Sequence, residues 1–178
     1  VGKRSDGFER APQDYYRTWD RRAVVPLLPH LAPATPFVEP CAGDGVLIDH
    51  LELSGHRCVY ACDIEPRRGD IRRADALKLR WRNRPARGLW ITNPPWTRDL
   101  MHPIIRHLCA QAPGWFLFDA DWAHNVQARP LLPILRMIVS VGRVEWIEGS
   151  GQTGKDNVAW YYFDGTTDPT FVEFIGRQ

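Results

Sequence analysis

Phe37-Val38-Glu39-Pro40-Cys41-Ala42-Gly43-Asp44-Gly45 runs from a short apolar strand into a turn of small residues and on into a helix. Glycines two apart let backbone approach a ligand closely, and the helix behind them presents unpaired N–H groups. Outward from this stretch, apolar strands alternate with helix-like segments. Strands are expected at 37–39, 58–63, 89–92 and 115–119, and 69–75 leads to a short third one. Helices are expected at 45–54, ended by Gly55, and at 98–111, with Pro103 near its start. Helix tendency is weaker at 21–31, interrupted by Pro26 and Pro29, and at 126–137, interrupted by Pro130 and Pro133. Residues 143–147 and 158–163 read as two strands joined by a Gly-rich loop, a hairpin. The implied fold is α/β, a Rossmann-like doubly wound sheet, mostly parallel with a C-terminal antiparallel hairpin.

The chain of 178 residues has the size of one domain, and its 44% hydrophobic and 25% charged residues are an ordinary globular mixture. We expect a loose N-terminal arm over 1–13 and a single domain over 14–178. A formal charge of +2 argues for no partner by itself. Twenty arginines against only Lys3, Lys78 and Lys155 suit bidentate recognition of phosphate, although an Arg-rich codon bias explains them equally well. Cys41, Cys58, Cys62 and Cys109 show no zinc spacing, and the histidines form no ligand pattern, so no metal is expected. Free thiols, the lack of a membrane-length apolar run and a polar start together give the cytoplasm as the expected compartment.

Two further carboxylates extend the first site. Asp63 closes the second strand about twenty residues on, where an acidic side chain accepts hydrogen bonds from ribose hydroxyls. Asp75-Ala76 follows the third strand, at the next position along the same sheet edge. After Gly45 come Val46, Leu47 and Ile48, so the Gly-x-Gly-x-x-Gly spacing of a pyrophosphate site is missing. That disfavours NAD and FAD and favours a nucleoside without phosphates.

Asn93-Pro94-Pro95-Trp96 follows the fourth strand. The prolines fix the backbone and remove competing N–H groups. The Asn93 side-chain oxygen and the Pro94 carbonyl can then both accept hydrogens from one –NH2 group, steering its lone pair toward an incoming methyl group. Trp96 offers a flat face on which a planar base could stack. A proline-rich turn after a strand is the plainer account of the same residues.

Glu39-Pro40-x-Ala42-Gly43-x-Gly45 followed at this distance by Asn93-Pro94-Pro95-Trp96 resembles the class I S-adenosylmethionine-dependent methyltransferases that modify amino groups, DNA N6-adenine methyltransferases above all. Asp14-Tyr15-Tyr16-Arg17-Thr18, just before the cofactor loop, is similar to a segment of the small phage and prophage enzymes. The resemblance implies S-adenosylmethionine as cofactor and DNA as the nucleic-acid partner. It implies Tyr16 and Thr18 at the methionine end, with Glu39, Cys41, Ala42, Gly43 and Gly45 lining the cofactor. Asp63, next to Ile64, would hold the ribose, and Asp75 and Ala76 would meet the adenine. Asn93, Pro94, Pro95 and Trp96 would form the catalytic loop. Trp96 stands where Tyr or Phe is more usual, and no separate target-recognition domain is expected in residues 14–178, so a partner protein or an oligomer would supply specificity. RNA bases, a protein glutamine amine, and a catalytically silent binding module are the alternative readings.

Arg67, Arg68, Arg72, Arg73, Arg80, Arg82, Arg84 and Arg87 surround the third strand, and Arg72 and Arg73 are candidates for phosphate contact. Gly149-Ser150-Gly151-Gln152-Thr153-Gly154-Lys155-Asp156 comes near a triphosphate-binding loop but ends in Asp156 where Ser or Thr must meet magnesium. It reads instead as a hairpin loop beside the site, with Lys155 placed to touch substrate phosphate.

Overall fold

Residues alternate in direction along each strand, and here both directions are apolar, so every central strand demands cover on two faces. The computed structural model describes residues 16–82, 85, 88–168 and 171–177. The arm expected at 1–13, together with Asp14, Tyr15, Arg84 and Arg87, lies outside them. Eight strands form one sheet: β1 (Pro36–Glu39), β2 (Arg57–Asp63), β3 (Arg72–Arg73), β4 (Leu89–Thr92), β5 (Gly114–Asp119), β6 (Leu135–Gly142), β7 (Val158–Phe163) and β8 (Glu173–Ile175). Their order is β3-β2-β1-β4-β5-β7-β6-β8. β7 runs antiparallel to both β5 and β6, and the remaining pairs are parallel.

The chain winds outward from β1 through β2 to β3, then returns to β4 on the other side of β1. The strand order therefore reverses between β1 and β4, and a crevice opens beyond their carboxyl ends. Helix α1 (Val46–Leu53) lies against one face, packing Leu47, Ile48 and Leu51 with Phe37, Ile91, Trp115 and Trp160. Helix α2 (Arg98–Cys109) covers the other, where Met101, Ile104, Ile105, Leu108 and Cys109 form one apolar stripe. That stripe meets Val38, Trp90, Phe116 and Phe118. Phe118 stacks on Tyr161 with ring centroids 4.2 Å apart and planes within 6°.

Three sequence expectations change. The segment expected as a helix at 21–31 is two 3-10 turns, Arg21–Ala23 and Val25–His30, because Pro26 and Pro29 remove the donors an α-helix needs. The segment at 126–137 is likewise two 3-10 turns, Val126–Ala128 and Leu132–Ile134, leading directly into β6. The first strand of the antiparallel pair is β6, and 143–147 belongs to the connection, not to the ladder. The short third strand expected after residue 69 is Arg72–Arg73. β8, parallel to β6, had no counterpart in the sequence reading.

Candidate active site

The cofactor loop begins where β1 ends, at Glu39. Gly43 (φ 54°) and Gly45 (φ 81°) take left-handed backbone, which a side chain would strain. Gly45 caps α1, and a Cβ there would come within 2.3 Å of the Arg68 guanidinium carbon. Arg68 is itself held, paired with Asp49 at 2.8 Å and Asp70 at 2.7 Å. Asp63, at the end of β2, accepts hydrogen bonds from the backbone N–H of Gly43 and of Glu65, each at 2.8 Å. Asp75 accepts from the Leu77 N–H at 2.9 Å and caps the turn Ala76–Lys78. A cavity of about 330 Å³ opens at this edge. Tyr16, Thr18, Glu39, Cys41, Ala42, Gly43, Asp63, Ile64, Asp75 and Ala76 all line it, and Asn93 and Pro95 complete its wall. Gly45, Pro94 and Trp96 are not among the lining residues, though Pro94 and Trp96 adjoin Asn93 and Pro95, which are.

Glu39 is 1% exposed, and neither of its carboxyl oxygens makes a hydrogen bond of good geometry, although the Thr92 hydroxyl and the backbone N–H groups of Cys41 and Asn93 lie close enough to favour its ionised form. Burial pushes the Glu39 carboxyl well above the ordinary carboxylate range, the nearby Thr92 side chain opposing this and Asp63 adding to it. Burial also raises the Cys41 thiol far above its usual value and pushes Cys62 up to about 12. Neither sulfur offers a thiolate nucleophile near neutral pH.

On the far side of the wall, the Asn93 amide nitrogen donates to the Tyr16 carbonyl at 2.9 Å and to the Thr18 hydroxyl at 3.1 Å. Its side-chain oxygen accepts the Trp96 indole N–H at 3.0 Å. Three rings gather here. Trp96 meets Trp146 edge-to-face with centroids 5.4 Å apart, and Tyr16 lies 6.4 Å from Trp96 and 6.1 Å from Trp146. Trp146 belongs to the β6–β7 connection and was not singled out in the sequence. Gly154 packs against it so closely that a Cβ would stand 2.9 Å from the ring.

Residues 16–20 tie these parts together. Arg17 pairs with Asp44 of the cofactor loop and with Glu148 of the β6–β7 connection at 2.7 Å. The Asp20 carboxylate accepts the Glu145 backbone N–H at 2.9 Å. Burial alone would raise the Asp20 carboxyl, but Arg22 and the two backbone donors hold it below the usual range. The Trp19 carbonyl lies 2.9 Å from His50 Nε2 on α1. Arg17 and Asp20 carried no signal beyond their place beside Tyr16 and Thr18.

Of the basic residues singled out in the sequence, Arg67 lines the cavity, whereas Arg72, Arg73 and Lys155 do not. Arg72 and Arg73 are exposed on the edge strand β3, three strand positions and so about 14 Å from β4. Arg73 donates to the Ile64 carbonyl at 2.9 Å. Lys155 is exposed in the β6–β7 connection, next to Gly154 and so on the Trp146 side. Arg68 is committed to two aspartates, and Arg80 lies 2.8 Å from His107. No helix among the described residues is long and apolar enough to cross a membrane.

No protein-family model matches the chain, and no curated protein matches it in sequence. Solved structures do. A protein from Pyrococcus horikoshii assigned as an RNA methyltransferase superposes with a TM-score of 0.59 at 14% identity, covering 90% of this chain and 92% of that one. A Listeria monocytogenes protein assigned as a class I S-adenosylmethionine-dependent methyltransferase gives 0.54 at 13% identity, over 86% of this chain and 62% of that one. The M protein of the type I restriction enzyme EcoKI gives 0.52 at 16% identity, over 90% of this chain, which spans about half (48%) of that larger protein. The architecture around the crevice is thus the fold of the class I S-adenosylmethionine-dependent methyltransferases.

Proposed function

We propose that the chain is an S-adenosylmethionine-dependent methyltransferase of the small phage type, acting on an exocyclic amino nitrogen, with N6 of adenine in DNA as the preferred acceptor. The observation that carries this reading is Asn93, which lines the cavity while its amide is anchored on three sides. The cavity fits the cofactor by its donor set. Glu39 is a buried carboxyl with no hydrogen bond of good geometry, suited to a cationic ligand, and Asp63 keeps a lone pair on each oxygen for ribose hydroxyls. Asp75 and Ala76 take the adenine end, and Tyr16 and Thr18 the methionine end. Bound S-adenosylmethionine supplies an electrophilic methyl group. The protein's work is positional: the Asn93 oxygen and the Pro94 carbonyl accept the two amine hydrogens and turn the lone pair toward that methyl group.

Tyr16, Trp96 and Trp146 support a nucleobase over a glutamine side chain, because rings hold a flat acceptor by stacking. The base must leave its stack to reach Asn93, at a cost of a few kcal/mol. Lys155, in the connection that carries Trp146, would meet a substrate phosphate, whereas Arg72 and Arg73 would touch nucleic acid only along the β3 edge. An RNA base is the second reading, favoured by the match over 92% of an assigned RNA methyltransferase. Incubation with methyl-labelled S-adenosylmethionine and DNA, RNA and protein in parallel tests the choice. Label in N6-methyladenine of DNA is expected; label in RNA or protein alone moves the substrate, and label in none leaves a binding module.

A further inference from the structure

The position of Trp96 beside Asn93 makes it more than a stacking surface. A side-chain amide can be turned end for end with almost no change in shape, so its orientation must come from its partners. Here those partners leave no choice. The Tyr16 carbonyl can only accept, and it faces one end of the Asn93 amide at 2.9 Å. The Trp96 indole N–H can only donate, and it faces the other end at 3.0 Å. Turning the amide over would set oxygen against oxygen and N–H against N–H, losing both bonds. In the observed orientation the two N–H groups are both spent, on Tyr16 and on Thr18. The oxygen has two lone pairs, and Trp96 uses one.

Building on the amine-methylation reading, we propose that Trp96 is a positioning residue. Its indole N–H holds the Asn93 amide so that the group turned toward the substrate is a single oxygen lone pair and never an N–H. The site therefore accepts hydrogens from an amine and repels a substrate that offers only an acceptor. The ring is in turn steered by Trp146, edge-to-face at 87°, and by Tyr16. A Phe at this position would keep the apolar face and lose the donor; a Tyr would carry its donor at the far tip of a different ring. Tryptophan supplies both the face and a donor on the edge that meets Asn93.

Two measurements on the full chain decide it, and the first needs no substrate. The Trp96 indole 15N–1H resonance should exchange slowly with solvent, and Asn93→Ala should shift it and speed its exchange at least about tenfold, as expected for loss of a hydrogen bond. An indole resonance unmoved by Asn93→Ala overturns the proposal. The second is kinetic. Trp96→Phe, checked for an unchanged melting temperature, should lower kcat about fivefold to tenfold while KM for the acceptor stays within about twofold. On an Asn93→Ala background, Trp96→Phe should cost less than about twofold more, because the two act as one unit. Additive losses, or a fully active Trp96→Phe enzyme, overturn the proposal while leaving amine methylation standing. A Trp96→Phe chain that melts early is replaced by Trp96→Tyr in the same cycle, with the same expectations. A wild-type chain that methylates neither DNA, RNA nor protein overturns the amine reading and this proposal with it.

Discussion

On one side of Asn93 the cavity wall is carboxylate and backbone, from Glu39, Asp63 and Asp75; on the other Tyr16, which also lines the cavity, packs with Trp96 and Trp146, which do not. The carboxylate side is assembled strand by strand. Glu39 and Asp63 are the last residues of β1 and β2, and Asp75 lies two residues past β3, so the sheet ladder that fixes the strand ends also fixes the acids. The aromatic side has no such scaffold. Its rings come from three distant segments, and they hold one another along with the ties that residues 16–20 make. Acids on a rigid edge suit a ligand with hydroxyls and positive charge. Rings with no common backbone suit a flat group that enters, stacks and leaves.

Asn93 stands where the two sides meet, and its removal should have the largest effect. Asn93→Ala deletes the acceptor while leaving both prolines and the cofactor loop. Methyl transfer should fall by at least about a hundredfold, with the dissociation constant for S-adenosylmethionine within about twofold. Calorimetry and steady-state kinetics on the same preparation measure both. If cofactor binding collapses as well, the two sides are not separable.

Trp146→Ala addresses the aromatic side alone. Stacking is worth roughly 1–3 kcal/mol per base, so KM for the nucleic acid should rise about tenfold or more. Cofactor affinity should not change, since Trp146 does not line the cavity. An unaltered KM would mean the ring only packs against Trp96, and the division between the two sides would lose its meaning.

Glu39 gives the smallest effect and sharpens the carboxylate side. Its folded pKa is raised above the ordinary value of 4.5, so the native chain keeps a proton that the unfolded chain releases. Stability from this group is fully present below about 4.5 and is lost as pH rises from there through the folded pKa. The melting temperature of wild type should therefore fall relative to Glu39→Gln over that window, and S-adenosylmethionine should narrow the gap at the upper end by pairing with the carboxylate. Parallel melting curves across the window would show that Glu39 ionises as freely as an exposed acid.

The strand-by-strand side was legible in the sequence because each of its parts is contiguous. Glu39 to Gly45 carries strand, turn and helix cap in seven residues, Asp63 and Asn93 each announce themselves at the end of an apolar run, and Asp75 by its place after the short third strand. Trp146 was not legible. The stretch 135–147 keeps an apolar alternation throughout, and nothing local says that the ladder uses 135–142 and releases 143–147. That choice rests on Val139 standing opposite Trp160, a pairing across the β6–β7 connection. Prolines marked the breaks at 26, 29, 130 and 133 correctly, but a broken helix and a run of 3-10 turns leave the same sparse spacing of apolar residues. The burial of Glu39 without a well-formed hydrogen bond was equally hidden, since it arises from what surrounds the residue and not from its neighbours in the chain.

The ties made by residues 16–20 also set a timetable. Asp20 waits for the backbone of Glu145, Arg17 for Glu148, and the carbonyl of Ala23, just beyond, for the indole of Trp160. A chain emerging from the ribosome at about 5–20 residues per second can pair β1 with β2 seconds before any of these partners exists. The carboxylate side can thus form on an unfinished chain, whereas the segment that holds Asn93, residues 16–23, gains its last anchors only once β7 has been made. A chain stalled before β7 would keep the partners of Asn93 at Tyr16, Thr18 and Trp96 but lack the ties that fix residues 16–23 to the rest of the fold.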